Sequence, residues 1–159
     1  MKLSIRSAAQ GDGALIFSLV KELADYEKLS HEARSSEADI RAALFGEPPR
    51  AFGAIAQDGD EAAGFALWFY TFSSFRGRCG IWLEDLYVRP AFRGRGFGKA
   101  LISHVAGVCV AETLGRFEWS VLDWNAPSIA FYESLGAKLM RDWRICRVED
   151  EALARLAAS

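Results

Sequence analysis

The chain has little cysteine, histidine or proline, and it has no hydrophobic run long enough to cross a bilayer. Three cysteines among 159 residues, Cys79, Cys109 and Cys146, are too far apart for a disulfide framework, and an odd one is always left over. Each sits in an apolar stretch and reads as a small core residue. The two histidines, His31 and His104, have no Cys or His at ligand spacing, so no metal is expected. The longest apolar runs fall far short of the ~20 residues that span a membrane. No long apolar stretch follows Met1-Lys2-Leu3-Ser4-Ile5-Arg6, so no export signal is visible and a cytoplasmic address is the expectation. Charge of one sign is also lacking. A net charge of −2 argues against binding nucleic acid across the whole surface.

What is present suits one globular domain over residues 1–159. Half of the residues are hydrophobic and a quarter are charged, enough for one sizeable core and no disordered tract. Leu3 and Ile5 alternate with polar residues in a short strand over Lys2–Arg6. Ile16, Leu19, Val20 and Leu23 fall on one helical stripe, and Ser36 with Asp39 marks a second helix start. Strands are expected over 51–57, 62–72 and 79–88, the first two joined by an Asp58-Gly59 turn. A helix follows over 97–114, then a strand over 117–122. Asn125 caps a short helix that Gly136 ends. A last strand is expected over 138–148, with a terminal helix from Glu149. This order predicts an α/β fold: central antiparallel strands, one parallel pair in a mixed sheet, and flanking helices.

The most informative segment is Val88-Arg89-Pro90-Ala91-Phe92-Arg93-Gly94-Arg95-Gly96-Phe97-Gly98-Lys99. A buried strand runs out, a glycine-rich loop follows, and a helix begins at once. The first turn of a helix has unpaired N–H groups and a partial positive charge, and glycine lets a ligand approach them. Arg89, Arg93, Arg95 and Lys99 add positive charge on a net-acidic chain. The segment therefore reads as a phosphate site, with a plain turn as the alternative. A P-loop fits poorly because the glycines are too close and Ala100 follows Lys99. A dinucleotide fingerprint fits poorly because the glycines alternate and come late in the chain.

Arg93-x-x-Gly96-x-Gly98 after a Val-x-Pro strand end resembles the acetyl-CoA signature of the GNAT N-acetyltransferase superfamily. The blocks Lys21–Glu27, Leu83–Val88 and Trp124–Tyr132 are similar to the diamine (spermidine/spermine) N-acetyltransferases and their thialysine-acetylating relatives. The resemblance spans roughly residues 3–148. It implies acetyl-CoA as co-substrate, with Leu86, Tyr87 and Val88 along the pantetheine arm. It implies the pyrophosphate against Arg93, Gly94, Arg95, Gly96, Phe97, Gly98 and Lys99, and arm contacts from Asn125 and Ser128. It also implies a homodimer, Tyr132 beside the CoA sulfur, and a small amine held by Tyr26, Glu27, Glu84, Glu118, Trp119 and Ser120.

The chemistry constrains these roles. An alkylammonium near pKa ~10.4 is neutral in only about one molecule in a thousand at pH 7, so the site must bind a cation and remove its proton. Glu84 stands in an otherwise apolar strand, where burial would raise its pKa and suit it as the base, directly or through water. Unbroken alternation points Asp85 to the other face, unless a bulge intervenes. Tyr132 is a weaker acid than the leaving thiol by about 2 kcal/mol, so its chief role is a hydrogen bond to the developing thiolate. No cysteine sits in a nucleophile setting, which favours direct attack in a ternary complex. Some polyamine-acetylating members of that family carry paired acids before the tryptophan that matches Trp143, where this chain has Arg141 and Asp142; the arginine argues against spermidine and leaves a shorter diamine, thialysine or another small amine open. Two rival readings are a protein or peptide N-acetyltransferase and a non-catalytic CoA-binding module.

Overall fold

The computed structural model describes residues 2–158. They form two compact units, one ending at Ser120 and the other beginning at Val121. The first is built on a five-stranded sheet in sequential order. Its strands are β1 (Leu3–Ser7), β2 (Phe52–Asp58), β3 (Glu61–Ser73), β4 (Arg78–Val88) and β5 (Phe117–Trp119). The first four pair antiparallel, and β4 and β5 are parallel. Helices α1 (Gly13–Tyr26), α2 (Glu37–Phe45) and α3 (Phe97–Ala111) flank the sheet.

The apolar stripes decide which side each helix covers. Ile16, Leu19 and Leu23 of α1 and Leu44 of α2 pack with Ile55, Phe65, Leu67 and Tyr87 on one face. Phe97, Leu101 and Val105 of α3 pack with Ala54, Ala66, Trp68, Ile81 and Leu83 on the other. The expected start of α2 holds: the Ser36 hydroxyl accepts from the Asp39 N–H at 3.2 Å, and the Asp39 carboxylate accepts from the Ser36 N–H at 2.8 Å. Gly59 takes φ +62° in the β2–β3 turn, as its sequence demands.

One irregularity in β4 positions everything that follows. Asp85 pairs with Leu67 and Leu83 with Trp68, so Glu84 has no cross-strand partner and forms a β-bulge. The bulge shifts the side-chain parity. Ile81 and Leu83 belong to the α3 face, yet two residues beyond Leu83 the strand presents Asp85 and then Tyr87 to the α1 face. On its other edge β4 pairs with β5 only from Ile81 to Leu83. Among the described residues no strand pairs with that edge from Glu84 to Val88.

Several expectations need correction. The strand expected over 117–122 stops at Trp119, because its ladder ends at Leu83, just before the bulge. The helix expected to reach Leu114 ends at Ala111, where Thr113 at φ +54° turns the chain and the Leu114 N–H donates to the Cys109 carbonyl. In the second unit, α4 (Ala126–Ser134) is capped as expected, with the Asn125 side chain accepting from the Ser128 N–H at 3.3 Å. The strand expected over 138–148 is irregular; the second unit, described from Val121 to residue 158, contains no strand that it could pair with. Leu139, Met140, Trp143, Ile145 and Val148 there are exposed. The terminal helix α5 is Asp150–Ala157. Cys79 and Cys146 are exposed rather than core residues, and Cys109 is half-buried.

Gly64 in β3 lies against the last turn of this ladder. A Cβ there would sit 2.2 Å from the Tyr87 carbonyl oxygen, a backbone atom that cannot swing aside. Gly64→Ala is expected to cost roughly 2–4 kcal/mol, read as a Tm lowered by several degrees. An unchanged Tm would show that β3 and β4 are not packed this closely.

Candidate active site

The glycine loop has the geometry of an anion cradle. Gly94 and Gly96 take φ +70° and +89°, the left-handed region that disfavours a side chain. The Arg93 N–H donates to the Pro90 carbonyl at 3.2 Å, and the Ala100 N–H makes the first bond of α3 to Gly96 at 2.9 Å. Between those two lie the amides of Gly94 to Lys99, at the positive end of a helix of 15 residues. The four cations counted there are not equivalent. Arg89 makes a bidentate pair with Glu22 at 2.8–3.2 Å and also donates to the Ala62 carbonyl. Arg95 pairs with Asp58. Arg93 lies over the Tyr26 ring at 4.4 Å and donates to the Val88 carbonyl at 2.8 Å. Lys99 has no salt bridge among the described residues, so Arg93 and Lys99 are the cations left for a ligand.

A second feature lies on the α1 side of the same strand. The bulge in β4, the end of α1 and the loop after it enclose a cleft of about 280 Å³. Its walls are apolar at Val20, Leu23 and Leu29, and its polar side chains are all acids: Glu27, Glu32, Glu84 and Asp85. Two of the expected substrate residues, Glu27 and Glu84, therefore meet here. Tyr26, Glu118, Trp119 and Ser120 do not line the cleft: Tyr26 carries Arg93 on its ring, Glu118 is paired with Arg116, and the Trp119 ring lies tilted against Phe117 at 4.9 Å. Tyr132, Asn125 and Ser128 belong to the second unit, on α4 and its cap.

The two adjacent acids of β4 differ in kind. Glu84 is exposed, against expectation, and its carboxylate accepts from the Trp82 indole N–H at 3.1 Å. Asp85 is the enclosed one. Protein surrounds its carboxyl on nearly all sides, although the residue keeps some accessible surface where it meets the cleft. Burial, then the negative charges of Glu84 and Glu27, push Asp85 up to about 7. Burial also raises Glu27. Sequence alternation set Asp85 aside; the signal that finds it is the parity break itself, with Ile81 and Leu83 apolar before the acid pair and Leu86 and Val88 apolar after it. Glu32 lies in a loop and has no such signal. Among the described residues no group of three or more His, Cys, Asp or Glu is placed to hold a metal ion, and no helix is long and apolar enough to cross a membrane.

The model of the acetyltransferase (GNAT) family matches residues 17–137. The thialysine N-epsilon-acetyltransferase of Sus scrofa is 37% identical, covering 96% of each chain. An L-ornithine N5-acetyltransferase of Arabidopsis thaliana is 44% identical over 57% of this chain and 40% of its own length. Among solved structures, an integron cassette protein from the mobile metagenome of V. cholerae superposes with a TM-score of 0.83 at 26% identity, covering 100% of this chain and 99% of that one.

Asp85 gives stability a signed pH dependence. Its folded value lies above its unfolded value, so the stability it contributes is fully present below pH 4 and is lost as pH rises through 7. The Tm of the wild-type protein is expected to fall between pH 5 and pH 8, and Asp85→Asn is expected to flatten that slope. Parallel Tm–pH curves for the two proteins would place the carboxyl in water instead.

Proposed function

The chain belongs to the acetyltransferase (GNAT) family, and from that premise we propose that it transfers an acetyl group from acetyl-CoA to a primary amine of a small amine substrate. The observation that carries this reading is that one strand serves both halves of the reaction. Asp85 and Glu84 of β4 line an acid-walled cleft, and four residues later the same strand runs into the anion loop. A cation site and an anion site so close together suit an ammonium and a CoA pyrophosphate. The left-handed glycines, the first-turn amides of α3 and the β4 edge beyond the β5 ladder, from Glu84 to Val88, suit the cofactor and its arm. Acetyl-CoA supplies the activated acyl group.

The protein's own residues do the rest. Glu84 holds the ammonium, and Asp85, titrating near the working pH, takes its proton, directly or through water. The freed nitrogen attacks the thioester carbon; a C–N bond forms, the C–S bond breaks, and the nitrogen's remaining extra proton passes to the departing thiolate, which leaves as the thiol. Tyr132 donates a hydrogen bond to the sulfur as charge develops. By the same reading Asn125 and Ser128 hold the arm. Proximity in the ternary complex supplies much of the rate. A homodimer completes the proposal, and the exposed apolar side chains between Leu139 and Val148 suit such an interface. The narrow cleft favours a small amine over a peptide.

The test is thiol release from acetyl-CoA across putrescine, spermidine, thialysine, lysine and a lysine peptide. Asp85→Asn is expected to lower kcat by about 100-fold or more, Tyr132→Phe by a smaller factor, and Glu84→Gln chiefly to raise KM for the amine. The reverse pattern would return the proton to Glu84. Gly96→Ala, which forces a side chain into φ +89°, is expected to raise KM for acetyl-CoA about tenfold. Protein that binds acetyl-CoA yet releases no thiol with any amine would favour the non-catalytic module.

A further inference from the structure

Given the amine-acetylating reading above, on which this rests, we propose that Trp82 is a positioning residue for the reaction: its indole N–H fixes the Glu84 carboxylate beside the cleft and leaves that acid's charge whole for the incoming ammonium. Three acids around β4 differ in how they are held. Glu22 of α1 is taken by Arg89 at 2.8 Å, and Glu118 of β5 is taken by Arg116 at 2.5 Å. In each pair the arginine offsets the negative charge. Glu84 is held by a neutral group instead. Its Oε2 accepts from the Trp82 Nε1–H at 3.1 Å, and its carboxylate makes no salt bridge and no other hydrogen bond among the described residues.

The ladder gives this contact its rigidity. Trp82 pairs with Phe69 of β3 on one side and with Glu118 of β5 on the other, so its backbone is fixed from both edges. Glu84 comes two residues later, at the bulge, with no cross-strand partner and with its side chain exposed. Residues two apart on a strand share a face, which brings the half-buried indole alongside the glutamate. The well-anchored residue therefore holds the poorly anchored one.

The choice of donor matters for a cation site. An indole N–H donates, never accepts and carries no charge. It favours the ionised carboxylate, and it leaves Oε1 free to meet an ammonium. An arginine in its place would hold Glu84 as firmly but would cancel the field that attracts the ligand, as Arg116 does at Glu118. A phenylalanine would fill the space and hold nothing. An exposed glutamate without that bond spreads over several rotamers, and ordering it when the amine binds costs affinity. Water reaches this pair, so the effect is a few-fold one.

Trp82→Phe keeps a ring and removes the donor. With thialysine and putrescine as acceptors, it is expected to raise KM about fivefold and to change kcat by less than about twofold. In a Glu84→Ala background there is no carboxylate to hold, and the same change is expected to alter KM by less than about twofold. An equal rise in both backgrounds would mean that Trp82 only packs, and would overturn the proposal. A proton–nitrogen correlation spectrum of the full chain reads the contact without any turnover. The Trp82 indole peak, assigned by its loss in Trp82→Phe or Trp82→Tyr, is expected to move upfield in Glu84→Ala and to respond to added putrescine in the wild type. A peak that ignores Glu84→Ala would overturn the hold even where acetyl transfer proceeds. A peak that follows Glu84, in a protein that releases no thiol with any amine, supports the hold and overturns the acetyl-transfer reading instead.

Discussion

The candidate site depends on where strand β4 stops being paired. As far as Leu83 it is an interior strand, with β3 on one side and β5 on the other. At Glu84 the register slips by one residue, and from there to Val88 β3 is the only strand that pairs with it among the described residues. Backbone N–H and C=O groups on a bare strand edge need partners, from water or from a ligand. Extending β5 by a few residues would satisfy them from within the protein and cover the edge. The bulge prevents that extension, and it also turns Asp85 toward α1. One local defect in the ladder thus ends the pairing with β5 and aims a carboxyl into a cleft.

Charge pairing around the strand keeps the two ends chemically distinct. Arg89 follows Asp85 by four residues, and a guanidinium close to a carboxyl ordinarily holds it ionised and well below neutrality. Here Arg89 is committed to Glu22 and to the Ala62 carbonyl. Bidentate geometry and a second anchor fix that guanidinium more firmly than a single contact would. Asp85, about 13 Å back along the strand, feels burial and two neighbouring acids instead. Arg95 is likewise turned back onto Asp58, which leaves the backbone amides, Arg93 and Lys99 to define the anion loop. Arg93 has a further consequence. By lying on the Tyr26 ring it ties the anion loop to the last residue of α1, immediately before the Glu27 that lines the cleft.

Most of this fold is legible from short-range signals. The stripe through Ile16, Leu19 and Leu23, the capping box at Ser36, the turn at Gly59 and the cap at Asn125 are each decided by residues within a few positions of one another. So is the anion loop, since glycine at Gly94 and Gly96 answers a local demand for positive φ. What the sequence hides is long-range. That Arg89 and Arg95 are neutralised follows from Glu22 and Asp58, 67 and 37 residues away. That Glu84 is exposed and Asp85 enclosed follows from one bulge against Trp68, which strict alternation inverts. The irregular course of 138–148 has the same origin: an apolar, alternating segment has strand character, but a strand exists only where a neighbour supplies its hydrogen bonds. The expectation for Tyr26 was positional in the same sense, and the arginine above its ring accounts for the difference.

The pairing of unlike acids in β4 has an energetic logic of its own. Two adjacent carboxylates with identical surroundings would titrate together and share one function. Exposure and the Trp82 indole N–H give Glu84 a solvated, hydrogen-bonded setting, whereas Asp85 has been moved out of water beside two like charges. Ionising Asp85 in the empty cleft works against desolvation and against Glu84 and Glu27 at once. A bound ammonium reverses both effects, because it neutralises the field and supplies the hydrogen-bond donors that the enclosed carboxyl lacks. The cleft is therefore least stable when it is empty and its acids are charged, and that stored repulsion is released when a cation arrives. Electrostatic preorganisation of this kind favours a ligand with more than one positive centre, since a single ammonium relieves only the part of the field nearest to it.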